Sequence, residues 1–271
     1  MKKFLKWSGI GCGGLIALLV LASAALYPVG AKTLTRTYPG IQVESLPIPA
    51  DEAAVAHGRH VAVIWECTKC HGDDLAGTLL ADDPFLGTIP APNLTSGRGG
   101  IGPSYTDTDW VRAIRHGVKP DGRGEAFMYD YSTLSDNDLG VLIAYLKQAP
   151  PVDSDHPAAR MGPIVPLAPA IGLFTPSAQV IDHDASRPAE PVPGATVEYG
   201  RYLFAICAQC HSTSLADKLA KWSQEDFARA VRTGVLPNGR QLPAAMSPKN
   251  FGELSDMELA ALWNYLTGAR P

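Results

Sequence analysis

Two short clusters of cysteine and histidine carry the most recognisable chemistry in this 271-residue chain. Both have the spacing Cys-x-x-Cys-His, one running from Cys67 to His71 as CTKCH and the other from Cys207 to His211 as CAQCH. This spacing is the attachment signature of a c-type haem. At the end of a helix it sets the two sulfurs about one turn apart, so both can form thioethers to one porphyrin while the histidine ligates the iron. The sequence therefore predicts two covalently bound haems, held by Cys67, Cys70 and His71 and by Cys207, Cys210 and His211.

Two other uses of a Cys-x-x-Cys pair compete with haem attachment. A zinc site built from both pairs is disfavoured because 136 residues separate Cys70 from Cys207, far more than in zinc ribbons. A redox-active dithiol would need neither a histidine after both pairs nor a methionine downstream in both halves. Haem attachment explains all of these features together.

Methionine is the second axial ligand that we predict for each iron, because electron-transfer cytochromes commonly use its soft thioether, which raises the reduction potential. Met128 and Met246 occupy equivalent places, each between a Gly-Arg turn and the start of a predicted helix. Apart from the first residue, the other methionines are Met161, in a proline-rich linker, and Met257, inside a helix. The predicted ligand pairs are therefore His71 with Met128 and His211 with Met246.

The chain repeats one unit twice. Gly58-Arg59-His60 precedes the first motif, and Gly200-Arg201-Tyr202 precedes the second. DWVRAIRHGVKPDGR, starting at Asp109, matches DFARAVRTGVLPNGR, starting at Asp226. LSDNDLGVLIAYL then matches LSDMELAALWNYL. The same blocks recur in the same order, which indicates a duplication.

Each unit is predicted to be helical. Serine or threonine followed three residues later by an acid marks four helix starts; these predicted N-caps are Thr106, Ser135, Ser223 and Ser255. Apolar residues recur at i, i+3, i+4 and i+7 from Leu139 and again from Leu259, as in a packed helix. Gly117 and Gly234 suit helix C-caps. No strong alternating pattern indicates a strand, so we predict an all-α fold of two tandem domains after an N-terminal transmembrane helix.

Composition shifts give the predicted boundaries. Residues 150–193 contain ten of the 23 prolines, which indicates a linker that is extended in part. The predicted organisation is an anchor or signal at 1–30, a stalk at 31–50, a first cytochrome c domain at 51–150, a proline-rich linker at 151–193 and a second cytochrome c domain at 194–271.

The N-terminus is predicted to direct the chain to a membrane. Lysines precede an uncharged, mostly apolar run from Ile10 to Tyr27, whose 18 residues would span about 27 Å as a helix, close to a bilayer core. The basic flank keeps the N-terminus in the cytoplasm and exports the rest. The run is either an uncleaved anchor or a signal peptide cut after the small residues 22–24. In both cases the haem domains lie in the periplasm or on the outer face of the bacterial cytoplasmic membrane.

Charge argues against nucleic acid as a partner. The net charge is −4, and no basic footprint is present. Residues 51–150 hold 8 basic and 14 acidic side chains, a net −6, whereas residues 190–271 hold 8 of each. The two units therefore present different faces to a protein partner. His116 has no histidine counterpart in the second unit, so it is a candidate alternative ligand or pH-sensitive group.

Residues 51–150 resemble class I cytochrome c domains, and more narrowly those in the multihaem cytochrome subunits of periplasmic dehydrogenases. The resemblance rests on PNLT at 92–95, GGIG at 99–102, the WVRAIRHGV helix, Met128, LSDNDLGVLIAYL and PPV at 150–152. Residues 194–268 resemble a shortened form of the same fold. The resemblance implies a compact helical fold around a low-spin haem, with histidine and methionine on opposite faces. It also implies a proline carbonyl that orients the ligating histidine, from Pro92 or Pro90 for His71.

Two features depart from that family. Only ten residues separate His211 from Trp222, and none is proline, so the second unit lacks the expected carbonyl. The dehydrogenase subunits usually carry three haem motifs, whereas this chain carries two.

The function predicted from the sequence is a membrane-tethered dihaem cytochrome that relays single electrons in a respiratory chain, from a dehydrogenase or quinol-oxidising donor to a terminal acceptor. One alternative is a cytochrome subunit of a larger dehydrogenase or oxidase complex. Another is a dihaem enzyme, such as a peroxidase or a thiosulfate-oxidising cytochrome. An enzyme needs an open or displaceable position at iron, and methionines in both units argue against that, so no catalytic residue is predicted.

Overall fold

A long N-terminal helix leads into the rest of the molecule. The computed structural model describes residues 2–211, 215–243, 245–246 and 248–268, with only the backbone described for residues 2–12. Helix α1 (Lys2–Leu34) is longer than the predicted 1–30 segment. Its residues 13–34 are long and apolar enough to cross a membrane, and most of them are solvent-exposed. An apolar surface of this length needs a lipid or protein environment, which fits a membrane anchor.

The first unit is built from four helices: α2 (Glu52–Ile64), α3 (Cys67–His71), α4 (Asp107–His116) and α5 (Asp136–Gln148). The predicted caps are present. Thr106 and Asp109 form a reciprocal capping box at the start of α4, and Ser135 accepts a hydrogen bond from Asp138 N at the start of α5. Gly117 ends α4 with a φ of 61°, a left-handed conformation that glycine adopts without strain.

Short helices lie in the linker, and the second unit repeats the arrangement of the first. The linker contains α6 (Leu167–Ala170) and α7 (Ser177–Val180). The second unit contains α8 (Val197–Cys207), α9 (Leu215–Lys218), α10 (Gln224–Thr233), α11 (Pro248–Phe251) and α12 (Asp256–Gly268). Ser223 and Asp226 form the predicted capping box, and Gly234 ends α10 in the left-handed region. The local chemistry of the helix ends is therefore the same in both units.

A small antiparallel sheet corrects the prediction of an all-α fold. Strand β1 (Thr78–Asp83) pairs with β2 (Gly87–Ala91), which pairs with β3 (Arg160–Met161) from the linker. Thr78 lies opposite Ala91, and the register slips between Leu79 and Ala81. The turn is set by the Asp83 carboxylate, which accepts hydrogen bonds from the next backbone N–H groups, at Phe85 and Leu86. Alternation did not reveal these strands because β1 is irregular and β3 comes from a distant segment.

Matching glycines bring two pairs of helices into close contact. In the first unit α2 crosses α5, and a Cβ added at Gly58 would lie 1.9 Å from Val141 O. In the second unit α8 crosses α12, and a Cβ at Gly200 would lie 2.0 Å from Ala261 O. Only glycine allows two helix backbones to approach this closely, which explains why the repeat has glycine at both positions.

Polar side chains join the two units. The His60 ring lies with Nε2 2.8 Å from Glu258 Oε1, and Tyr202 Oη donates to Asp138 Oδ2 at 2.5 Å. These pairs occupy equivalent positions, since each joins the helix before a haem motif to the first turn of the last helix in the other unit. Buried Asn250 adds bonds to Val63 O and to Thr68 Oγ1. The described parts of the two units therefore share an interface of specific contacts.

We expect His60→Gln to destabilise the protein most between about pH 4.5 and pH 6.5. The hydrogen bond with Glu258 raises the pKa of His60 above 6.5. Burial alone would raise the pKa of Glu258, but hydrogen bonds from His60 and Ser255 bring it below 4.5. The histidine's contribution is complete below pH 6.5 and disappears as pH rises through its folded-state pKa, whereas the carboxylate's contribution disappears in acid. A charged hydrogen bond of this kind contributes about 2 kcal/mol.

Guanidinium unfolding at pH 5.5 and pH 8.5 measures this effect. The difference between wild type and His60→Gln should be larger at pH 5.5. Arg59→Gln is the matched control, because it breaks the neighbouring Arg59–Glu253 pair, whose guanidinium stays charged at both pH values. Equal losses at the two pH values for His60→Gln would show that no titrating pair joins the units here.

Candidate functional site

The first Cys-x-x-Cys-His motif is presented by a short helix of its own. Helix α2 ends at Ile64, and the backbone reverses at Glu66, whose φ of 61° is unusual for a residue other than glycine. Helix α3 then carries Cys67, Cys70 and His71 in little more than one turn. All three line a cleft with about 1280 Å³ of atom-free space, part of which is open to solvent. The turn at Glu66 thus directs both sulfurs and the imidazole into one cavity.

Pro92 orients His71, as the family resemblance implied, and Pro90 does not. The His71 Nδ1 atom lies 2.9 Å from the carbonyl oxygen of Pro92. A carbonyl only accepts, so Nδ1 carries the proton and Nε2 keeps its lone pair free for a metal. Burial lowers the pKa of His71 below 6.5, although the bond to Pro92 acts in the opposite direction. The ring is therefore neutral at pH 7 and suited to ligation.

Met128 lines the same cleft as His71. The loop that carries it begins with a bridge between Val118 and Gly124 and ends near Tyr131, whose hydroxyl donates to Trp65 O. A second methionine, Met161 on β3, also lines this cleft. The sequence placed Met161 in the linker, where no local pattern connects it to the first unit; only the pairing of β3 with β2 brings it there.

The lining of the cleft fits a porphyrin. It is mostly apolar, with contributions from Leu94, Ile101, Ile114 and Leu142. One polar atom stands out, because the Trp110 indole nitrogen Nε1 is buried and has no hydrogen-bond partner among the described residues. A buried N–H without an acceptor is costly, and Trp110 belongs to this lining. A ligand with a large apolar ring and carboxylate groups, as haem has, satisfies both features.

The second motif continues directly from a long helix. Helix α8 ends at Cys207, and the next turn brings His211 N to within 2.8 Å of Cys207 O. The His211 Nε2 atom lies 3.5 Å from Met246 Sδ. The structure therefore places the two predicted axial ligands of this unit side by side. Residues 212–214, which follow His211 directly, lie outside the described residues.

The environment of the cysteines differs from that of a reactive dithiol. Burial raises the pKa of Cys67 to about 12, and burial also raises that of Cys207 to about 12. In redox-active Cys-x-x-Cys pairs the surroundings instead stabilise the thiolate of the reactive cysteine, so the pKa of that thiol is lowered. Cys67 and Cys207 therefore lack the electrostatics of the reactive thiol in a redox-active pair.

His116 lies away from the haem cleft. Its Nδ1 atom is 3.2 Å from Nδ1 of His183 in the linker, and neither histidine is among the residues that line the cleft. Burial lowers the pKa of His116 to about 4, with further lowering from His183 and two arginines. The candidate role as an alternative ligand is therefore not supported by its position. Its contact with His183 instead fastens the linker to α4.

Comparisons with known proteins agree with this chemistry. The family model described as "Cytochrome C oxidase, cbb3-type, subunit III" matches residues 53–146 and 195–266. The fructose dehydrogenase cytochrome subunit of Gluconobacter japonicus is 29% identical over 289 residues, covering 87% of this chain and 56% of that protein. The gluconate 2-dehydrogenase cytochrome c subunit of Pantoea cypripedii is 32% identical over 201 residues, covering 68% of this chain and 44% of that protein.

A further relative belongs to another dehydrogenase. The cytochrome c subunit of the quinone alcohol dehydrogenase of Gluconobacter oxydans is 32% identical over 180 residues, covering 60% of this chain and 36% of that protein. The chain thus spans between about a third and just over half of the length of these three curated relatives.

Proposed function

This chain belongs to the cytochrome c family described as cytochrome c oxidase, cbb3-type, subunit III, and on that premise we propose that it is a membrane-tethered dihaem c-type cytochrome. It relays single electrons between a dehydrogenase or quinol-oxidising donor and a terminal acceptor. The observation that carries the proposal is the arrangement at the two motifs. In each unit a histidine beside two cysteines faces the same site as a methionine from a distant loop.

The residues have the following roles in the proposed sites. Haem supplies one-electron iron chemistry when it is bound. In the first unit Cys67 and Cys70 would hold the haem through thioether bonds, and His71 and Met128 would ligate its iron. In the second unit Cys207 and Cys210 would form the thioether bonds, and His211 and Met246 would ligate the iron. Pro92 O fixes the tautomer of His71. The buried Trp110 indole N–H, which has no partner among the described residues, would be free to donate to a carboxylate of the haem.

The first site has one donor that the second lacks. Phe227 occupies the place of Trp110 in the repeat, so the second unit has no indole N–H at this point. The Cys210 side chain is also more exposed than its counterpart Cys70. Solvent exposure and hydrogen bonding both shift the potential of a haem, so the two sites are expected to have different potentials and to favour transfer in one direction.

The proposed organisation keeps the predicted boundaries. An anchor at 1–30 precedes a stalk at 31–50, cytochrome c domains at 51–150 and 194–271, and the linker at 151–193. The N-terminus lies in the cytoplasm, and the haem domains lie on the outer face of the bacterial cytoplasmic membrane, where c-type haem is attached. The basic flank of α1 supports this orientation.

The relatives favour a closely related function, that of an electron-transfer subunit in a dehydrogenase complex. Three of them are named as cytochrome subunits of dehydrogenases that act on fructose, gluconate or alcohol. Co-purification of a catalytic subunit with the full chain from native membranes would support permanent membership of such a complex. Purification as a single chain that exchanges electrons with separate partners would support a mobile carrier.

The visible spectrum of the purified full-length protein tests the proposal. The wild-type protein should contain two haems per chain. The double variant Cys67→Ala with Cys70→Ala should contain one haem, and so should Cys207→Ala with Cys210→Ala. The oxidised protein should show the weak red-end band of methionine sulfur on ferric haem, with an intensity that corresponds to two haems. One haem per chain would contradict the assignment of two haem sites. A haem that is high-spin or lacks the band would contradict the relay and favour an enzyme at the open iron.

A further inference from the structure

The third residue of each motif reaches across to the methionine loop of the other unit. In CTKCH this residue is Lys69, and its Nζ donates to the carbonyl of Ala245 at 3.1 Å, one residue before Met246. In CAQCH it is Gln209, and its Nε2 donates to the carbonyl of Asp130 at 3.3 Å, two residues after Met128. The two bonds start from the same motif position and end on equivalent loops.

We propose that each haem motif positions the methionine ligand of the other unit, so that ligation at one iron depends on the integrity of the opposite motif. The inference rests on the proposed ligands Met128 and Met246. Lys69 and Gln209 act as positioning residues, since each bonds to the backbone of a loop and ligates nothing itself. Neither residue type is required by the thioether chemistry of the motif, which leaves this position free for such a role.

Lys69 is held in place for this contact. Its Nζ is 2.8 Å from Glu66 Oε1, and the Glu66 side chain is almost fully buried. The ammonium group also lies over the Tyr129 ring, 6.0 Å from its centroid. A lysine fixed by a buried carboxylate loses little further freedom when it bonds to Ala245 O, so the bond stabilises the loop effectively.

The position of the loop that carries Met246 is expected to depend on the bond from Lys69. A thioether is a neutral ligand, and it stays on iron only while the chain holds it close. Met246 N bonds locally to Pro243 O at 2.8 Å, and Lys69 supplies a bond from outside the unit. Outer partners of metal ligands commonly change affinity by about 10- to 100-fold. Because the Lys69 side chain is partly exposed, we expect a smaller effect, of about fivefold.

Competition with imidazole measures the strength of each methionine ligand. The full-length oxidised protein is titrated with imidazole while the red-end band is followed. Met128→Ala removes the proposed methionine ligand of the first site, and Met246→Ala that of the second, so each background reports the ligand of the other site. In the Met128→Ala background, Lys69→Leu should lower the half-displacing imidazole concentration about fivefold. In the Met246→Ala background, Gln209→Leu should lower it about threefold, since its bond is longer and uncharged.

Conservative substitutions and a control variant distinguish the positioning of the methionine loops from a general weakening of the contacts between the two units. Lys69→Gln and Gln209→Lys each install the donor that the other unit uses, so they should restore most of the wild-type titration. Arg59→Leu breaks a different contact between the units, the pair with Glu253, and should leave both titrations unchanged.

The proposal predicts that each leucine variant weakens methionine ligation in the unit that does not carry the substitution. Effects of Lys69→Leu or Gln209→Leu confined to the site of the mutated motif would overturn the proposal, and so would equal weakening of both sites. If the wild-type protein shows no methionine band, the assignment of Met128 and Met246 as ligands is refuted, and so is the proposal that the opposite motif positions them. If the wild-type band is normal and neither leucine variant changes the titration, only the positioning role of Lys69 and Gln209 is refuted, and the ligand assignment stands.

Discussion

Replacing Gly58 with alanine is expected to force α2 away from α5 and to disrupt the first haem site. The added Cβ would lie 1.9 Å from Val141 O, a backbone atom that cannot move without the rest of α5. Helix α2 leads through Glu66 directly into Cys67, so its displacement moves the motif. Overpacked cores lose about 1–3 kcal/mol. Because backbone opposes backbone here, we expect the free energy of unfolding to fall by about 3 kcal/mol or more.

Gly200→Ala should have the same effect in the second unit, where Ala261 O lies 2.0 Å from the added Cβ. Guanidinium unfolding followed by circular dichroism measures the stability of both variants. Methionine ligation is then read from the red-end band one site at a time, in the Met246→Ala background for the first haem and in the Met128→Ala background for the second. Gly58→Ala should weaken the band of the first haem most, and Gly200→Ala that of the second.

Gly268→Ala is the matched control. Gly268 is also helical, but its added Cβ would lie 3.6 Å from Val197 Cγ2, an ordinary van der Waals distance. Alanine favours a helix over glycine by up to about 1 kcal/mol, so this variant should be as stable as wild type or slightly more stable. If Gly58→Ala behaved like Gly268→Ala, the close crossing of α2 and α5 would be wrong.

Met128→Ala and Met246→Ala are each expected to lower one reduction potential by on the order of 0.1–0.2 V. A thioether is a soft ligand that favours ferrous iron, and its loss leaves the position to water or another harder donor that favours ferric iron. The sign is therefore a decrease for both variants. A spectroelectrochemical titration should resolve two transitions in the wild type, and each variant should move only one of them. The pair of variants thus also assigns each potential to a unit.

Two other methionines serve as controls for this experiment. Met161→Ala is the sharper one, because Met161 lines the same cleft as Met128. Met257→Ala removes a partly exposed side chain on α12. Neither should change a potential by more than a small fraction of the effect of Met128→Ala. A large decrease for Met161→Ala with none for Met128→Ala would transfer the ligand role to β3.

Local sequence chemistry predicted the helix ends well. The capping boxes at Thr106 and Ser223 and the left-handed glycines after α4 and α10 depend on residues a few positions apart. The choice of Pro92 over Pro90 could not be made locally. Pro90 lies opposite Leu79 in the sheet, whereas Pro92 follows the strand and reaches His71.

Features that depend on distant segments were not predictable in the same way. The sheet uses a strand from the linker, and Met161 reaches the cleft only through it. The contacts of His60, Tyr202 and Asn250 require the packing of one unit on the other. One signal was available, since glycine recurs at positions 58 and 200, shortly before each haem motif. Glycine inside a helix is unfavourable unless another backbone passes close by.

The end of α1 determines how the first unit is carried. A Cβ at Gly30 would lie 1.5 Å from Pro166 O beside α6, and the Leu34 side chain is buried. The chain then pairs at once with the loop before Met128, through Tyr38 N and Gly122 O at 2.8 Å. With α1 across the bilayer as proposed, the first unit is fixed to the end of this helix and is not connected to it by a flexible linker. It rotates about the membrane normal together with its helix, so it presents its surface to partners at one height and one tilt.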